Sequence, residues 1–247
     1  MKYIMRLKDV IYSLEQIARN NSFSYAIIHF FRSKIAGRRY IKSIKNFQKY
    51  GLEAFLLFNK CMEDCGYRYS LAFGTLLGAV REHDFIPHDD DIDVAMWYND
   101  YSEKLIDDLS KVGIKLVHSF SVNNDAIGKE LTFDYKNVLI DIFFFYKDDE
   151  DRTYCCDFIN FPDSSSRKES LYKHGGLLPR KIFLPLKDNL VKIKFKTIEV
   201  SIPENYDEIL TFRYGSDYMK PKPGWKPKTD SIIEIDNCIG VYIDYNN

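Results

Sequence analysis

Charge of one sign is missing from this 247-residue sequence. Thirty-five Lys and Arg stand against 36 Asp and Glu, a formal net charge of -1, which excludes a generally basic nucleic-acid binder. Long apolar runs are missing too. The stretch over residues 23–31 is apolar and aromatic but far shorter than the ~20 residues a membrane-spanning helix needs. Residues 1–10 are basic, yet no apolar core with a small-residue cleavage site follows, so no secretory leader is expected. Cysteine is scarce and irregular: Cys61, Cys65, Cys155, Cys156 and Cys238 form no paired Cys-x-x-Cys pattern. They read as reduced thiols of a cytoplasmic protein rather than a zinc or disulfide framework. Repeats and low-complexity tracts are absent. An apolar content of 45% with 29% charged residues predicts an ordinary folded core: one large domain, or one with a helical extension.

Locally the charge is uneven. Residues 1–49 hold eleven Lys and Arg with only Asp9 and Glu15 as acids. Residues 167–196 hold nine Lys and Arg against Glu169 and Asp188. Residues 82–108 are strongly acidic. An acidic centre facing a basic segment suits a phosphate-rich ligand and its cation, since each part neutralises a different partner.

The most informative stretch joins Gly74-Thr75-Leu76-Leu77-Gly78-Ala79-Val80-Arg81 to Phe85-Ile86-Pro87-His88-Asp89-Asp90-Asp91-Ile92-Asp93-Val94. The glycines read as a small-residue turn that a phosphate can approach. Thr75 offers a hydroxyl and Arg81 a guanidinium for phosphate oxygens. Side chains alternate along a strand, so Asp91 and Asp93 share one face. Paired carboxylates of this kind hold Mg²⁺ or Mn²⁺ beside a phosphate. A third ligand is expected from Asp141, alone in the apolar run Val138-Leu139-Ile140-Asp141-Ile142-Phe143-Phe144-Phe145, because a lone buried charge is costly unless paired or bound to metal. Asp89, on the loop side, is the candidate base. His83, His88 and His174 read as ordinary loop residues or ligand contacts. Lys168, Arg180, Lys192 and Lys194 read as diphosphate contacts or a solvated face.

Periodicity predicts an amphipathic helix over 4–19, then a basic aromatic helix over 23–47 interrupted near Gly37. A helix over 50–65 stops at Gly66. The remaining expectations are a strand over 67–73, a turn over 74–78, a short helix over 78–82, a strand over 91–97, a helix over 101–112 and a strand over 114–120. A hairpin turns at Lys136-Asn137, residues 162–181 are loop-rich, a strand covers 192–202, a helix runs over 203–214 with its stop at Gly215, and 220–228 is an extended loop. The order predicts an α+β fold: a mixed central sheet flanked by helices, with a basic amphipathic helical extension over 1–49 and a catalytic domain over 50–247. The extension packs on the main domain or lies on anionic lipid.

These residues resemble the LicD/fukutin-related phosphotransferases of the nucleotidyltransferase-fold superfamily. The likeness rests on residues 74–93, on Asp141, and on Pro203-Glu204-Asn205-Tyr206-Asp207 with Tyr214-Gly215, and covers roughly 50–225. It implies a CDP-linked alcohol such as choline or ribitol as donor and a hydroxyl of a cell-surface glycan or glycolipid as acceptor, with release of CMP. It also implies Asp91, Asp93 and Asp141 as ligands of Mg²⁺ (or Mn²⁺), and a phosphate at Gly74-Thr75. The zinc-binding cysteines of the fukutin-related branch find no match. That departure points to a compact microbial-type enzyme, cytoplasmic and peripheral to the inner face of the membrane, that decorates capsule, teichoic acid or lipopolysaccharide. The same carboxylates would equally serve a nucleotidyltransferase that releases pyrophosphate; a non-catalytic glycan-assembly scaffold would have little use for them.

Overall fold

A computed structural model describes residues 22–221 and 231–246, with side chains from residue 40 onward. The expected helix over 4–19 and most of the 220–228 loop lie outside the described residues. Among those described, no helix is long and apolar enough to cross a membrane. The chain divides into two compact units, Met1–Lys45 and Asn46–Asn247, and the account below concerns the second.

This unit opens within helix α1 (Ser22–Cys65). Phe47, Ala54, Phe55, Phe58, Cys61 and Met62 are buried and recur at three- and four-residue intervals, so one stripe of the helix faces the core. The helix runs through Gly37 where a break is expected. One interior glycine costs about 1 kcal/mol against alanine, too little to end a helix whose hydrogen bonds continue on both sides. Gly66 ends it in the left-handed region (φ 74°), with the Tyr67 amide donating back to the Met62 carbonyl at 2.9 Å, as a glycine C-cap does.

Strand β1 (Ser70–Leu71) is only two residues long. The residues read as a turn are helical: α2 (Phe73–Arg81) begins where the longer strand was expected. Beyond a loop lies β2 (Asp91–Trp97), and then α3 (Lys104–Lys111), β3 (Lys115–Val122), β4 (Gly128–Tyr135) and β5 (Val138–Lys147). The β4–β5 turn is the expected one, with Lys136 and Asn137 both at positive φ (52° and 61°), the conformation that matches strand twist. The remainder is β6 (Thr153–Ile159), α4 (Arg167–His174), β7 (Leu178–Phe183), β8 (Leu190–Phe195), β9 (Ile198–Pro203), α5 (Tyr206–Tyr214), β10 (Ile232–Glu234) and β11 (Val241–Asp244). Three corrections follow. The loop-rich stretch over 162–181 contains α4 and most of β7. The single strand over 192–202 is a hairpin that turns at Lys196 (φ 50°), with none of the Asn or Gly that would have flagged it. Strands β6, β10 and β11 carry no alternation strong enough to be read.

The sheet is mixed, as expected. Its order is β10-β7-β6-β5-β4-β3-β11; β2 pairs with β5, and β1 with β2. β2 and β5 are parallel, with Ile92 opposite Ile140 and Asp93 opposite Asp141; the neighbours of this pair are antiparallel. Ile92, Val94, Met96, Ile140, Ile142 and Phe144 are buried within the core. At about 1.5–3 kcal/mol for each large apolar side chain, that layer fixes the register. With one face buried, a one-residue slip would exchange the apolar and acidic faces.

Candidate functional site

The register that buries the isoleucines turns Asp91, Asp93 and Asp141 to the opposite face. Each offers one carboxylate oxygen, and the three oxygens lie within 4.8 Å of one another. Asp141 lies opposite Thr132 across the β4–β5 ladder, and the Thr132 side chain lowers the pKa of its carboxyl. The Asp141 Oδ1 is buried and has no hydrogen-bond partner among the described residues. An orphaned buried oxygen among oxygen donors of like charge is the arrangement a hard divalent cation satisfies.

Helix α2 is tied to the same strand. The Ala72 amide donates to the Asp93 carbonyl at 3.0 Å, and the Asp93 amide donates to the Thr75 hydroxyl oxygen at 2.9 Å. The Gly74 backbone faces the Asp93 carboxylate and lowers its pKa. The first turn of α2 thus meets the acidic cluster with its positive dipole end. This assigns the small-residue motif differently from the sequence reading. Thr75 is buried, and its hydroxyl oxygen holds strand to helix. Gly78 lies where a Cβ would come 2.6 Å from the Asp84 carbonyl oxygen and 3.0 Å from the Ile86 amide, so its role is close packing. Gly74 faces the carboxylates: a Cβ there would lie 3.6 Å from Asp89 Oδ1 and 3.8 Å from Asp93 Oδ2. Phe73 enters the helix at φ 43°, a strained value for an aromatic residue. Its ring is held edge-on against Phe143 at 4.7 Å, with the Arg213 guanidinium 4.4 Å from its centroid.

Asp89 joins the cluster from the loop, its Oδ2 accepting the Ile86 amide at 2.8 Å. Arg81 lies beside it, its side chain largely buried and paired with Glu82 at 2.7 Å. Arg81 lowers the pKa of Asp89, but burial and the charges of Asp91 and Asp90 outweigh this and push the Asp89 carboxyl up to about 7. Burial likewise pushes Asp91 up to about 6, with Asp90 adding to it. Asp141 rises to about 7, mostly through burial. Asp93 is raised well above the carboxylate range by burial and by the charges of Asp91, Asp141 and Asp89. Unfolded aspartates titrate near 4, so between about pH 4 and 7 the folded state holds protons that the unfolded state has released. Linkage then makes stability fall as pH rises through that window and level off above it. The metal-free protein should melt at a higher temperature at pH 5 than at pH 7.5, and saturating Mg²⁺ or Mn²⁺ at pH 7.5 should recover most of the difference. A melting temperature that climbs across the window would show the carboxylates to be stabilised rather than repelled.

The other residues singled out from the sequence are dispersed. His83 and His88 are exposed. His174 pairs with Asp163 at 2.7 Å and stacks on Phe161. Arg180 is paired with Asp157. Lys168 is exposed at the start of α4, and Lys192 and Lys194 are exposed on β8, Lys192 bonding to Glu63. Sequence reasoning missed two residues. Arg213 has a buried Nε with no hydrogen-bond partner among the described residues; only its place before Tyr214-Gly215 flagged it. Glu130 lies on the same face of β4 as Thr132 and hence of Asp141, and its alternation in the hairpin was the available signal. A cleft of about 500 Å³ past the end of β2, lined by Trp97, Arg152, Phe183 and Phe212 among others, includes none of these carboxylates.

The sequence matches the family described as LicD/FKTN/FKRP, nucleotidyltransferase domain, over residues 66–205. It is 29% identical over 184 residues to the ribitol-5-phosphate transferase FKTN of Mus musculus, covering 74% of this chain and 36% of the relative. The proteins of the same name from Macaca fascicularis and Homo sapiens are 27% and 26% identical over 180 residues. The chain thus spans about a third of the length of the curated relatives it matches.

Proposed function

The chain belongs to the LicD/FKTN/FKRP nucleotidyltransferase-domain family, and we propose that it transfers a phospho-alcohol group from a CDP-linked alcohol to a hydroxyl of a glycan or glycolipid, releasing CMP. The observation that carries this reading is the convergence of Asp91, Asp93 and Asp141 around a buried carboxylate oxygen without a partner. These three would hold a divalent cation, Mg²⁺ or Mn²⁺. When bound, the ion supplies charge neutralisation on the diphosphate and on departing CMP.

The remaining roles fall to the chain's own groups. Asp89 is held by the Ile86 amide and, with its carboxyl near 7, is matched to accepting a proton at neutral pH. The acceptor oxygen forms a bond to the phosphorus that carries the alcohol. The bridging P–O bond breaks, its electron pair leaves with CMP, and the hydroxyl proton passes to Asp89. Gly74 keeps a Cβ out of the space beside Asp89 and Asp93. Arg213, whose Nε lacks an acceptor, is proposed to donate to a donor phosphate oxygen. A charge-assisted hydrogen bond is worth about 1.5–3 kcal/mol, so Arg213→Met should weaken CDP binding by about ten- to a hundredfold while leaving cation-induced thermal stabilisation intact. Unchanged CDP affinity in isothermal calorimetry would remove Arg213 from the site.

Residues 1–49, with their excess of Lys and Arg, are proposed as a basic extension that meets the anionic inner face of the membrane, and 50–247 as the catalytic domain. Co-sedimentation of the whole chain with phosphatidylserine vesicles, but not with neutral ones, is the expected result. The catalytic reading is tested by CMP release from CDP-ribitol, CDP-glycerol and CDP-choline, with and without Mg²⁺. Cation-dependent CMP release from at least one supports it. Pyrophosphate release from nucleoside triphosphates, with no CMP from any CDP-alcohol, would overturn it in favour of nucleotidyl transfer.

A further inference from the structure

The acidic row does not stop at Asp141. Across the ladder Asp93 pairs with Asp141, Asp141 with Thr132, Thr132 with His118 and His118 with Asp244. The next row along the same face runs Phe143, Glu130, Phe120 and Tyr242. Sheet spacing puts Glu130 about 8 Å from Asp141, one strand across and two residues along. Glu130 makes no hydrogen bond or ion pair among the described residues, although its carboxylate is within electrostatic reach of Asp141, Asp157 and Arg167. Arg167, at the start of α4, has no carboxylate partner at ion-pair distance among the described residues. Its guanidinium lies 4.5 Å from the Tyr242 ring centroid and 5.4 Å from that of Phe120. Tyr242 is in turn fixed by His118, hydroxyl to Nδ1 at 3.0 Å.

A carboxylate without a partner among the described residues and a guanidinium laid over an aromatic ring, with no carboxylate at ion-pair distance among them, are groups that bind vicinal hydroxyls. They do not suit a quaternary ammonium. Arg167 already occupies the cation-binding faces of Phe120 and Tyr242, and its positive charge would repel a second cation. A five-carbon polyol attached to a phosphate at the carboxylate triad is long enough to reach Glu130.

We propose that Glu130 and Arg167, the latter held in place over the Tyr242 ring, form a subsite for a neutral polyhydroxylated group next to the carboxylate triad, filled by the donor's polyol or by the acceptor's sugar. The inference rests on the catalytic reading above for the identity of the donor, and the experiment separates the two. Calorimetry compares CDP, CDP-ribitol and CDP-choline on wild type, Glu130→Gln and Arg167→Gln, all as full chains shown to be folded by circular dichroism. If the donor's polyol fills the subsite, wild type binds CDP-ribitol at least tenfold more tightly than CDP, and each variant erases that advantage while leaving CDP affinity within twofold. If the acceptor fills it, the variants leave donor affinities alone and raise KM for a methyl glycoside acceptor at least tenfold. Two results overturn the subsite: variants that change neither quantity, or a wild type that prefers CDP-choline to CDP-ribitol. Should wild type bind no CDP compound, the donor assignment fails. The subsite then stands or falls on ligand-observed NMR with free ribitol and methyl β-galactoside, whose saturation-transfer signals must be present with wild type and lost in Glu130→Gln.

Discussion

Asp93→Asn should lower cation-dependent CMP release by at least about a thousandfold and, in the absence of metal, raise the melting temperature. Both halves come from one fact: Asp93 is half-buried beside Asp91, Asp141 and Asp89. Turning one of three carboxylates into a neutral amide weakens ligation and withdraws the charge that a diphosphate-bound cation needs, and electrostatic terms of this kind are among the largest in catalysis. In the metal-free protein the same carboxylate is repelled by its neighbours. Asparagine keeps the shape and one oxygen, but it removes the charge. A gain of about 1 kcal/mol corresponds to ~2–4 °C for a domain of this size. The opposite signs of the two effects are the diagnostic: a merely structural aspartate would lose stability when replaced, and a surface one would change neither. Wild-type activity in Asp93→Asn would end the proposed mechanism.

Gly78→Ala is the second large effect, expected in stability rather than chemistry. The added Cβ would meet the Asp84 carbonyl oxygen at 2.6 Å and the Ile86 amide at 3.0 Å. Both are backbone atoms, so no rotamer change relieves the clash, and the whole loop that carries Asp89 must move. Overpacking of this kind costs typically 1–3 kcal/mol and occasionally more; about 3 kcal/mol is expected here, a fall of ~6–12 °C in melting temperature. Gly74→Ala is the control. There the nearest atoms are carboxylate oxygens at 3.6 and 3.8 Å, ordinary contact distances, and alanine is the better helix former. Stability should be unchanged or slightly higher, while donor KM should rise if a phosphate approaches that face. Equal melting temperatures for Gly78→Ala and wild type would show that the loop does not pack against α2 as described.

The acidic face was legible because period-two alternation and an apolar run announce themselves without tertiary information. Asp91, Asp93 and Asp141 each sit in a stretch whose neighbours demand burial on the other side. The motif at 74–81 was located but its conformation was misread. Two glycines within five residues satisfy the pattern of a turn, and nothing local says that α2 would form by docking against Asp93 through Ala72, Gly74 and Thr75. The hairpin at Lys196 was illegible for the complementary reason: its positive φ is imposed by the pairing of β8 with β9 on a residue type that does not favour it. Glu130 and Arg167 were invisible as a pair because what joins them is tertiary: Arg167, at the start of α4, lies against Phe120 and Tyr242, and Phe120 is the register partner of Glu130.

The parallel pairing of β2 with β5 also sets when the site can exist. Asp93 and Asp141 are register partners although about fifty residues of chain separate them, and β3 and β4 must be made and folded back before they meet. In a zinc finger the ligands lie close in sequence, and the ion organises the chain from the start. Here an emerging chain that has reached only β4 carries two aspartates and no third ligand. Long-range contacts of this kind form late, since loop closure must come first. Divalent cations should therefore leave the rate of refolding nearly unchanged and slow unfolding instead, which makes resistance to unfolding, rather than speed of folding, the kinetic signature of an occupied site.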